Sequence, residues 1–135
     1  MKHVTRILET CLCVNDLAVA RKFYTEVLGL DVHAEQDDRH VFFRVGNQML
    51  LLFDPLESSK PAGTIPAHGT QGAGHVCFAI TGEELNDWQR QLELHGVAIE
   101  SIHEWPEGHR SLYFRDPAGN SLEFATPRIW GIEES

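Results

Sequence analysis

Three ionisable residues stand in segments that are otherwise mostly apolar, where an isolated charge is costly to bury. Glu9 and Glu123 each lie inside a short strand-like run, and His75 opens another such run. Two carboxylates and one imidazole make a good divalent-metal site with open positions. Such a site polarises a carbonyl or enolate, acidifies water, or binds a substrate through two oxygens. Taken singly, each residue has a simpler explanation: a glutamate facing solvent, or a hydrogen-bonded histidine.

The elements that would position these residues follow from the spacing of the apolar side chains. In the first half, the pattern predicts strands and one helix, the helix capped by Asn15 or Asp16: strand 7–14, helix 17–28, and strands 30–34, 40–45 and 48–53. The second half repeats this order: strand 75–80, a helix from about 85 to 96, and strands 97–103, 110–115 and 121–125. The sequence therefore predicts an α+β fold made of two βαβββ repeats, each curling a mixed sheet around a cleft.

The two halves also match residue by residue. Phe42-Phe43-Arg44 corresponds to Tyr113-Phe114-Arg115, and Gly46-Asn47 corresponds to Gly119-Asn120. Glu9 and His75 occupy matching places, since each opens the strand before a helix. We expect a single domain over residues 1–135, with repeats at about 5–55 and 74–127. If the first strands lie side by side, the three ionisable side chains converge.

The bulk composition excludes some classes of function. The chain has 135 residues and a formal net charge of −9. An acidic protein is a poor partner for nucleic acid or for an anionic membrane surface. No apolar run approaches the roughly 18 to 20 residues of a membrane helix, and no signal-peptide pattern opens the sequence. We therefore expect a cytoplasmic protein without a nucleic-acid or membrane partner.

The odd number of cysteines, three in all, favours reduced thiols. Cys11 and Cys13 share one face of the first strand, and Cys77 lies in the strand that His75 opens. These spacings match no zinc knuckle, so we expect the cysteines to act as small buried hydrophobic residues.

Three segments resemble the vicinal-oxygen-chelate superfamily, and together they cover nearly the whole chain. They are residues 8–17 followed by Phe23-Tyr24 and Leu28-Gly29-Leu30, then residues 74–78, then residues 113–123. The superfamily includes glyoxalase I, methylmalonyl-CoA epimerase, extradiol dioxygenases, fosfomycin-modifying enzymes and metal-free bleomycin-binding proteins. The motifs are specific for the fold and poorly specific for the reaction.

The resemblance implies that Glu9, His75 and Glu123 bind the metal. The family often has His or Gln at the first of these positions, so Glu9 is a departure. Alignment of Gly46-Asn47 with Gly119-Asn120 places Leu50 at the remaining ligand position, and leucine cannot bind a metal. The expected cofactor is a divalent ion (Mn, Zn, Ni, Mg or Fe), and the second carboxylate favours Mn²⁺, Mg²⁺ or Zn²⁺.

Three functions then compete. The first is a metal-dependent lyase, isomerase or group-transfer enzyme that acts on a small oxygenated substrate. The second is an extradiol-type dioxygenase, and the third is a metal-free binding or drug-resistance protein of the bleomycin-binding type. Glu9, Glu123 and His68, which lies in the loop between the repeats, are the candidates for proton transfer. The resemblance also implies a homodimer that completes the clefts.

Substrate contacts are expected from four further residues, three of which lie on partly polar strand faces. They are His40, His109, Arg110 and Tyr113. Arg110 would pair with an anionic substrate group, although a surface ion pair is equally plausible. A ligand cavity would explain the polar character of these faces, and so would a sheet side that faces solvent.

Overall fold

The computed structural model describes residues 1–134. The chain divides into two compact units between Gly72 and Ala73. Each unit has the βαβββ order with one four-stranded sheet, so the predicted α+β fold of two βαβββ repeats is confirmed. The division falls in the segment that was expected to join the repeats. That both repeats form a single domain stays a prediction.

The first unit contains sheet 1. Its elements are β1 (Glu9–Cys13), α1 (Leu17–Glu26), β2 (Asp31–Gln36), β3 (His40–Val45), β4 (Gln48–Phe53) and a short helix α2 (Pro55–Ser58). The strand order is β1-β4-β3-β2, and only the β1–β4 pair is parallel. The Asp16 carboxylate accepts the Val19 N–H at 3.0 Å, which caps α1 as predicted.

The second unit contains sheet 2. Its elements are β5 (His75–Ala79), α3 (Leu85–Leu94), β6 (Ser101–Glu104), β7 (Arg110–Arg115) and β8 (Ser121–Ala125). Short 3-10 turns lie at Gly82–Glu84, Pro106–Gly108 and Pro127–Trp130. The strand order β5-β8-β7-β6 repeats that of sheet 1, with β5 and β8 parallel.

Each sheet has one face covered by its helix, and we call the opposite side its open face. In sheet 1, Phe43 packs against Tyr24 of α1 with ring centroids 5.6 Å apart. In sheet 2, Trp88 of α3 stacks on Phe124 at 4.5 Å. The helix faces hold most of the buried core, at roughly 1.5 to 3 kcal/mol for each fully buried large side chain. Because side chains alternate along a strand, the intervening residues lie on the open faces.

The open faces of the two sheets differ in chemistry. That of sheet 1 carries Glu9, Cys11, Cys13, His40, Phe42, Arg44, Met49, Leu51 and Phe53. That of sheet 2 carries His75, Cys77, Ala79, Ser111, Tyr113, Arg115, Ser121, Glu123 and Ala125. The first is largely apolar and aromatic, whereas the second is polar.

Several elements begin or end one or more residues from the prediction, and two differ more substantially. The strand expected at 97–103 is shorter, because the Val97 N–H still bonds the Leu92 carbonyl of the helix end at 2.9 Å. The helix α2 was not predicted, since four residues are too few to show helical spacing. Its capping pattern was nevertheless visible: the Asp54 carboxylate accepts the Leu56 N–H at 2.9 Å, and proline occupies the first turn.

Candidate metal centre

The open face of sheet 2 brings His75 and Glu123 together. His75 Nε2 lies 3.3 Å from Glu123 Oε1, and the histidine side chain is 50% exposed while the glutamate side chain is 8% exposed. The pair results from the parallel register of β5 and β8, which sets His75 opposite Ser121 and Cys77 opposite Glu123. A nearly buried carboxylate beside an accessible imidazole is therefore built into the sheet.

A backbone contact orients the imidazole. His75 Nδ1 lies 2.9 Å from the Ser121 carbonyl oxygen. A carbonyl only accepts, so Nδ1 carries the proton of the neutral ring and Nε2 is left with a lone pair. In the neutral ring this lone pair lies beside Glu123 Oε1, where a cation could bind both atoms; in the protonated ring Nε2–H donates to Oε1 instead. A histidine held by a backbone carbonyl is also the usual state of a metal ligand, so these two residues fit a divalent metal.

Two further side chains flank Glu123 on neighbouring strands. Cys77 lies opposite it on β5 and Tyr113 opposite it on β7. Desolvation, and then the Glu123 carboxylate, raise the pKa of the Tyr113 hydroxyl, so the group stays protonated near the carboxylate. Desolvation and the same carboxylate raise the pKa of the Cys77 thiol to about 12, although the residue is solvent-accessible.

The turn between β7 and β8 holds the start of β5 in place. Asp116 Oδ1 accepts the N–H groups of Ala118 at 2.9 Å and Asn120 at 2.8 Å. Asp116 Oδ2 accepts the Asn120 side-chain amide at 2.9 Å, and Asn120 Oδ1 accepts the Gly74 N–H at 2.7 Å. Both polar side chains are buried. This network ties the residue before His75 to the turn that leads into β8.

Glu9 lies in the first unit, on the open face of sheet 1. It opens β1 as His75 opens β5, so the predicted equivalence of the two positions holds in the structure. Its neighbour on β4 is Met49, and the residue is exposed. Within residues 1–134, no three His, Cys, Asp or Glu side chains are grouped so that they could hold a metal ion. That Glu9 joins His75 and Glu123 stays a prediction.

The expected alignment of Leu50 with Glu123 is wrong by one residue. Since Cys11 faces Leu51 as Cys77 faces Glu123, Leu51 is the equivalent position. The cause is the turn length, because four residues separate the paired Arg44 and Met49, whereas five separate Arg115 and Ser121. A slip of one residue moves a side chain to the other face of a sheet, and Leu50 lies in the helix-side core. Leucine still occupies the matching position.

The expectation that the cysteines are buried hydrophobic residues is also wrong. Cys11 and Cys77 are exposed, Cys13 is intermediate, and within residues 1–134 none of the three forms a disulfide. Each cysteine is an even number of residues from Glu9 or His75 along the same strand. The cysteine side chains therefore lie on the open faces rather than in the cores. That parity could have been seen in the sequence. Desolvation and then Glu9 raise the pKa of the Cys11 thiol.

The remaining predicted site residues lie in two different places. His40 lies on the open face of sheet 1, and the His68 ring from the following loop meets Phe53 of that face at 4.5 Å. His109 and Arg110 line a separate cavity of about 540 Å³ in the second unit. Arg110 alternates with Ser111 along β7 and bonds Asn86 of α3 at 3.4 Å. It therefore lies on the helix side of sheet 2, away from His75 and Glu123.

The flanking thiol provides a first test. With a pKa of about 12, roughly one Cys77 thiol in ten thousand is ionised at pH 8, and the thiolate is the nucleophile. We expect slow alkylation of Cys77 by iodoacetamide in metal-free protein. Glu123→Gln removes the adjacent charge and should speed the labelling at least several-fold. Peptide mass spectrometry measures the rate, and Cys11 in the same samples is the internal control. An unchanged Cys77 rate would contradict the electrostatic influence of Glu123.

The family model of the Glyoxalase/Bleomycin resistance protein/Dioxygenase superfamily matches residues 2–124. The chain therefore belongs to this superfamily, as its motifs predicted.

Solved and curated relatives agree with that membership. The crystal structure of lactoylglutathione lyase from Agrobacterium tumefaciens has 42% identity and a TM-score of 0.93, and the match covers 97% of this chain and 100% of that one. Virulence protein STM3117 of Salmonella typhimurium is 31% identical over 127 residues, 90% of this chain and 84% of the relative. Metallothiol transferase FosB of Staphylococcus haemolyticus is 29% identical over 114 residues, 84% of this chain and 77% of the relative. These names differ in activity, so family membership does not select one reaction.

Proposed function

We propose that this chain is a divalent-metal-dependent, glyoxalase-like enzyme that carries out lyase, isomerase or group-transfer chemistry on a small oxygenated substrate. The observation that carries the proposal is the pairing of His75 Nε2 with Glu123 Oε1 at 3.3 Å, with the imidazole tautomer set by a backbone carbonyl. The names of two relatives, a metallothiol transferase and a lactoylglutathione lyase, support enzymatic activity.

In this proposal, Glu9 completes the ligand set and comes from a second copy of the chain in a homodimer. Members of the superfamily commonly form dimers, and the exposed Glu9 side chain is available to a partner. A site with one imidazole and two carboxylates has mostly hard oxygen ligands, so it should prefer Mn²⁺, Mg²⁺ or Zn²⁺. Ni²⁺ and Fe²⁺ are the other candidates.

The bound metal would supply Lewis acidity, which stabilises negative charge on a substrate oxygen. Side chains of the protein would contact the substrate and transfer the proton. The protonated Tyr113 hydroxyl lies beside Glu123 and would contact the substrate. His68, an exposed residue of the loop after α2, would move the proton at its imidazole, with Glu9 or Glu123 as the alternative base.

Co-expression of two variants that each fail to bind metal tests which residues are ligands and which copy of the chain supplies them. Glu9→Ala and Glu123→Ala should each lose bound metal when purified alone. If a site combines Glu9 of one copy with Glu123 of the other, co-expressed variants form mixed dimers in which one site is intact. The mixture should then recover about one quarter of the wild-type metal content, because half of randomly paired dimers are mixed. Elemental analysis measures the metal, and size-exclusion chromatography confirms the dimer.

Each other outcome is informative. Full metal content in Glu9→Ala would remove Glu9 from the ligand set. No recovery in mixed dimers would contradict a site shared between copies. No metal in the wild type, even after addition of Mn²⁺, Fe²⁺, Ni²⁺ and Zn²⁺, would overturn the proposal in favour of a metal-free binding protein. Bound iron together with oxygen uptake on catechols would favour the dioxygenase instead.

A further inference from the structure

One end of sheet 2 contains a cavity that the proposed metal centre does not use, and we call it the end cavity. Its volume is about 540 Å³, within the usual range of small-molecule sites. Ser111 pairs with Ala125 in the antiparallel register of β7 and β8. Arg110 and Thr126 are therefore neighbours one step further along, on the helix side of the sheet. Both line the end cavity, together with the buried Leu85 of α3.

The Arg110 guanidinium has no carboxylate partner within residues 1–134. The side chain is half-buried, and its contact with Asn86 Oδ1, at 3.4 Å, is long for an N–H···O bond. Glu104, the cross-strand neighbour of Arg110 on β6, forms no ion pair with it. A guanidinium has five N–H donors in one plane and binds a carboxylate through two of them. Arg110 is therefore available to a carboxylate in the end cavity.

Thr126 is a second, independent indication of a ligand. The residue is 3% exposed, and within residues 1–134 its Oγ1 atom has no hydrogen-bond partner. Buried hydroxyl groups nearly always have a partner, because removal of a hydroxyl from water without one is unfavourable. The end cavity is the space from which a ligand would supply that partner. A carboxylate bound to Arg110 would accept the proton of the Thr126 hydroxyl as well.

The other charges of the end cavity favour a positive group on the same ligand. Glu83, just before α3, and Glu134, in the segment after the last 3-10 turn, line the cavity and are exposed. Within residues 1–134 neither forms an ion pair, whereas Glu84 Oε1 accepts the Thr81 N–H at 2.9 Å. A simple anion would meet these two carboxylates, and a simple cation would leave the guanidinium unpaired. A ligand that carries both charges matches both.

We propose that the end cavity binds a small zwitterion of the amino-acid or dipeptide class. Arg110 and Thr126 bind the carboxylate of this ligand, while Glu83 and Glu134 attract its ammonium group. The proposal goes beyond the proposed function, because the end cavity lies on the helix side of sheet 2 and the proposed metal centre lies on the open face. Binding in the end cavity needs no metal, so the two proposals can fail separately.

Leucine and its capped forms test the proposal. L-Leucine and glycyl-L-leucine carry both charges, at two different spacings. N-acetyl-L-leucine keeps only the carboxylate, and L-leucinamide keeps only the ammonium group. We expect at least one of the two zwitterions to bind about three- to tenfold more tightly than either capped form. Proton–nitrogen correlation NMR measures the affinities, and the largest shifts should occur at the backbone amides of Gly82, Gly108 and His109, which line the cavity.

Variants assign each part of the ligand to its partner. Arg110→Gln should weaken zwitterion binding about tenfold and remove the preference over L-leucinamide. Glu83→Gln combined with Glu134→Gln should remove the preference over N-acetyl-L-leucine. Thr126→Val keeps the shape of the side chain but removes the hydroxyl, and it should weaken zwitterion binding about threefold. Arg90→Gln is the matched control, because Arg90 is exposed on α3 outside the cavity and its loss should leave every affinity unchanged.

The possible outcomes are distinct. A preference for a zwitterion that disappears in Arg110→Gln supports the proposal. Binding of either capped form as tightly as both zwitterions overturns it, since one charge would then suffice, and so does the absence of binding by all four compounds. Shifts centred on His75 and Glu123 would place the ligand at the proposed metal centre and overturn the assignment to the end cavity. An unchanged affinity in Thr126→Val would contradict the hydroxyl contact.

Discussion

Replacing Glu123 by glutamine should lower the affinity for divalent metal by more than about 100-fold. Substitutions of residues that only support the metal ligands lower the affinity less than this. Glutamine keeps the size of the side chain and one carbonyl oxygen but removes the charge beside His75 Nε2. Calorimetry with Mn²⁺ and Zn²⁺ measures the affinity. The rise in melting temperature on addition of metal, which follows from binding to the folded state alone, should disappear as well.

Glu104→Gln is the matched control for this experiment. Glu104 lies on the edge strand β6 of the same sheet and is exposed, so the same chemical change there should leave metal binding unaltered. If Glu123→Gln binds metal as tightly as the wild type, the assignment of Glu123 as a ligand is wrong. If both variants lose metal, net charge rather than coordination explains the loss.

Replacing Asn120 by alanine should lower the free energy of unfolding by about 3 kcal/mol, the sum of two buried hydrogen bonds, one of them to a carboxylate. The Asn120 amide donates to Asp116 Oδ2, and its carbonyl oxygen accepts the Gly74 N–H. Urea denaturation measures the change. An unaltered dependence on urea concentration would show that stability, rather than the extent of unfolding, has changed.

Asn47→Ala provides the comparison in the first unit. Asn47 occupies the equivalent turn but is exposed, and a surface substitution there should cost less than about 0.5 kcal/mol. Because Asn120 holds the residue before His75, Asn120→Ala should also weaken metal binding. Equal stability of the two variants would mean that the turn network contributes little to the fold.

The sequence predicted most of the fold because hydrophobic periodicity is strong in both halves. Strands β3, β4, β7 and β8 begin and end where the pattern placed them or within one residue. The matching positions of Glu9 and His75 were also visible, since both follow from the order of elements. The approach of His75 to Glu123 required the pairing of β5 with β8, which the repeat and the resemblance implied.

Features that depend on register or on contacts between strands were less predictable. Five residues separate the pair Arg115 and Ser121, one more than separate the equivalent pair Arg44 and Met49, and a count of residues from the glycine-asparagine pair therefore selects Leu50 instead of Leu51. The opposite tautomers of His40 and His75 depend on Arg39 and on a backbone carbonyl, which only the three-dimensional structure reveals. The separation of Arg110 from Glu123 follows from the alternation of side chains along β7, where Arg110 and Ser111 lie on opposite faces.

The one-residue difference between the two turns has a consequence for engineering a duplicated fold. A designer who wished to copy the polar half onto the apolar half would place a glutamate at position 51, between Cys11 and Phe42, as Glu123 stands between Cys77 and Tyr113. A glutamate at position 50 would instead be driven into the hydrophobic core. The two halves thus share one architecture but carry a leucine and a glutamate at the matching position, and one extra residue between the equivalent strand pairs of the second half shifts the correspondence when the sequences are aligned on the turn.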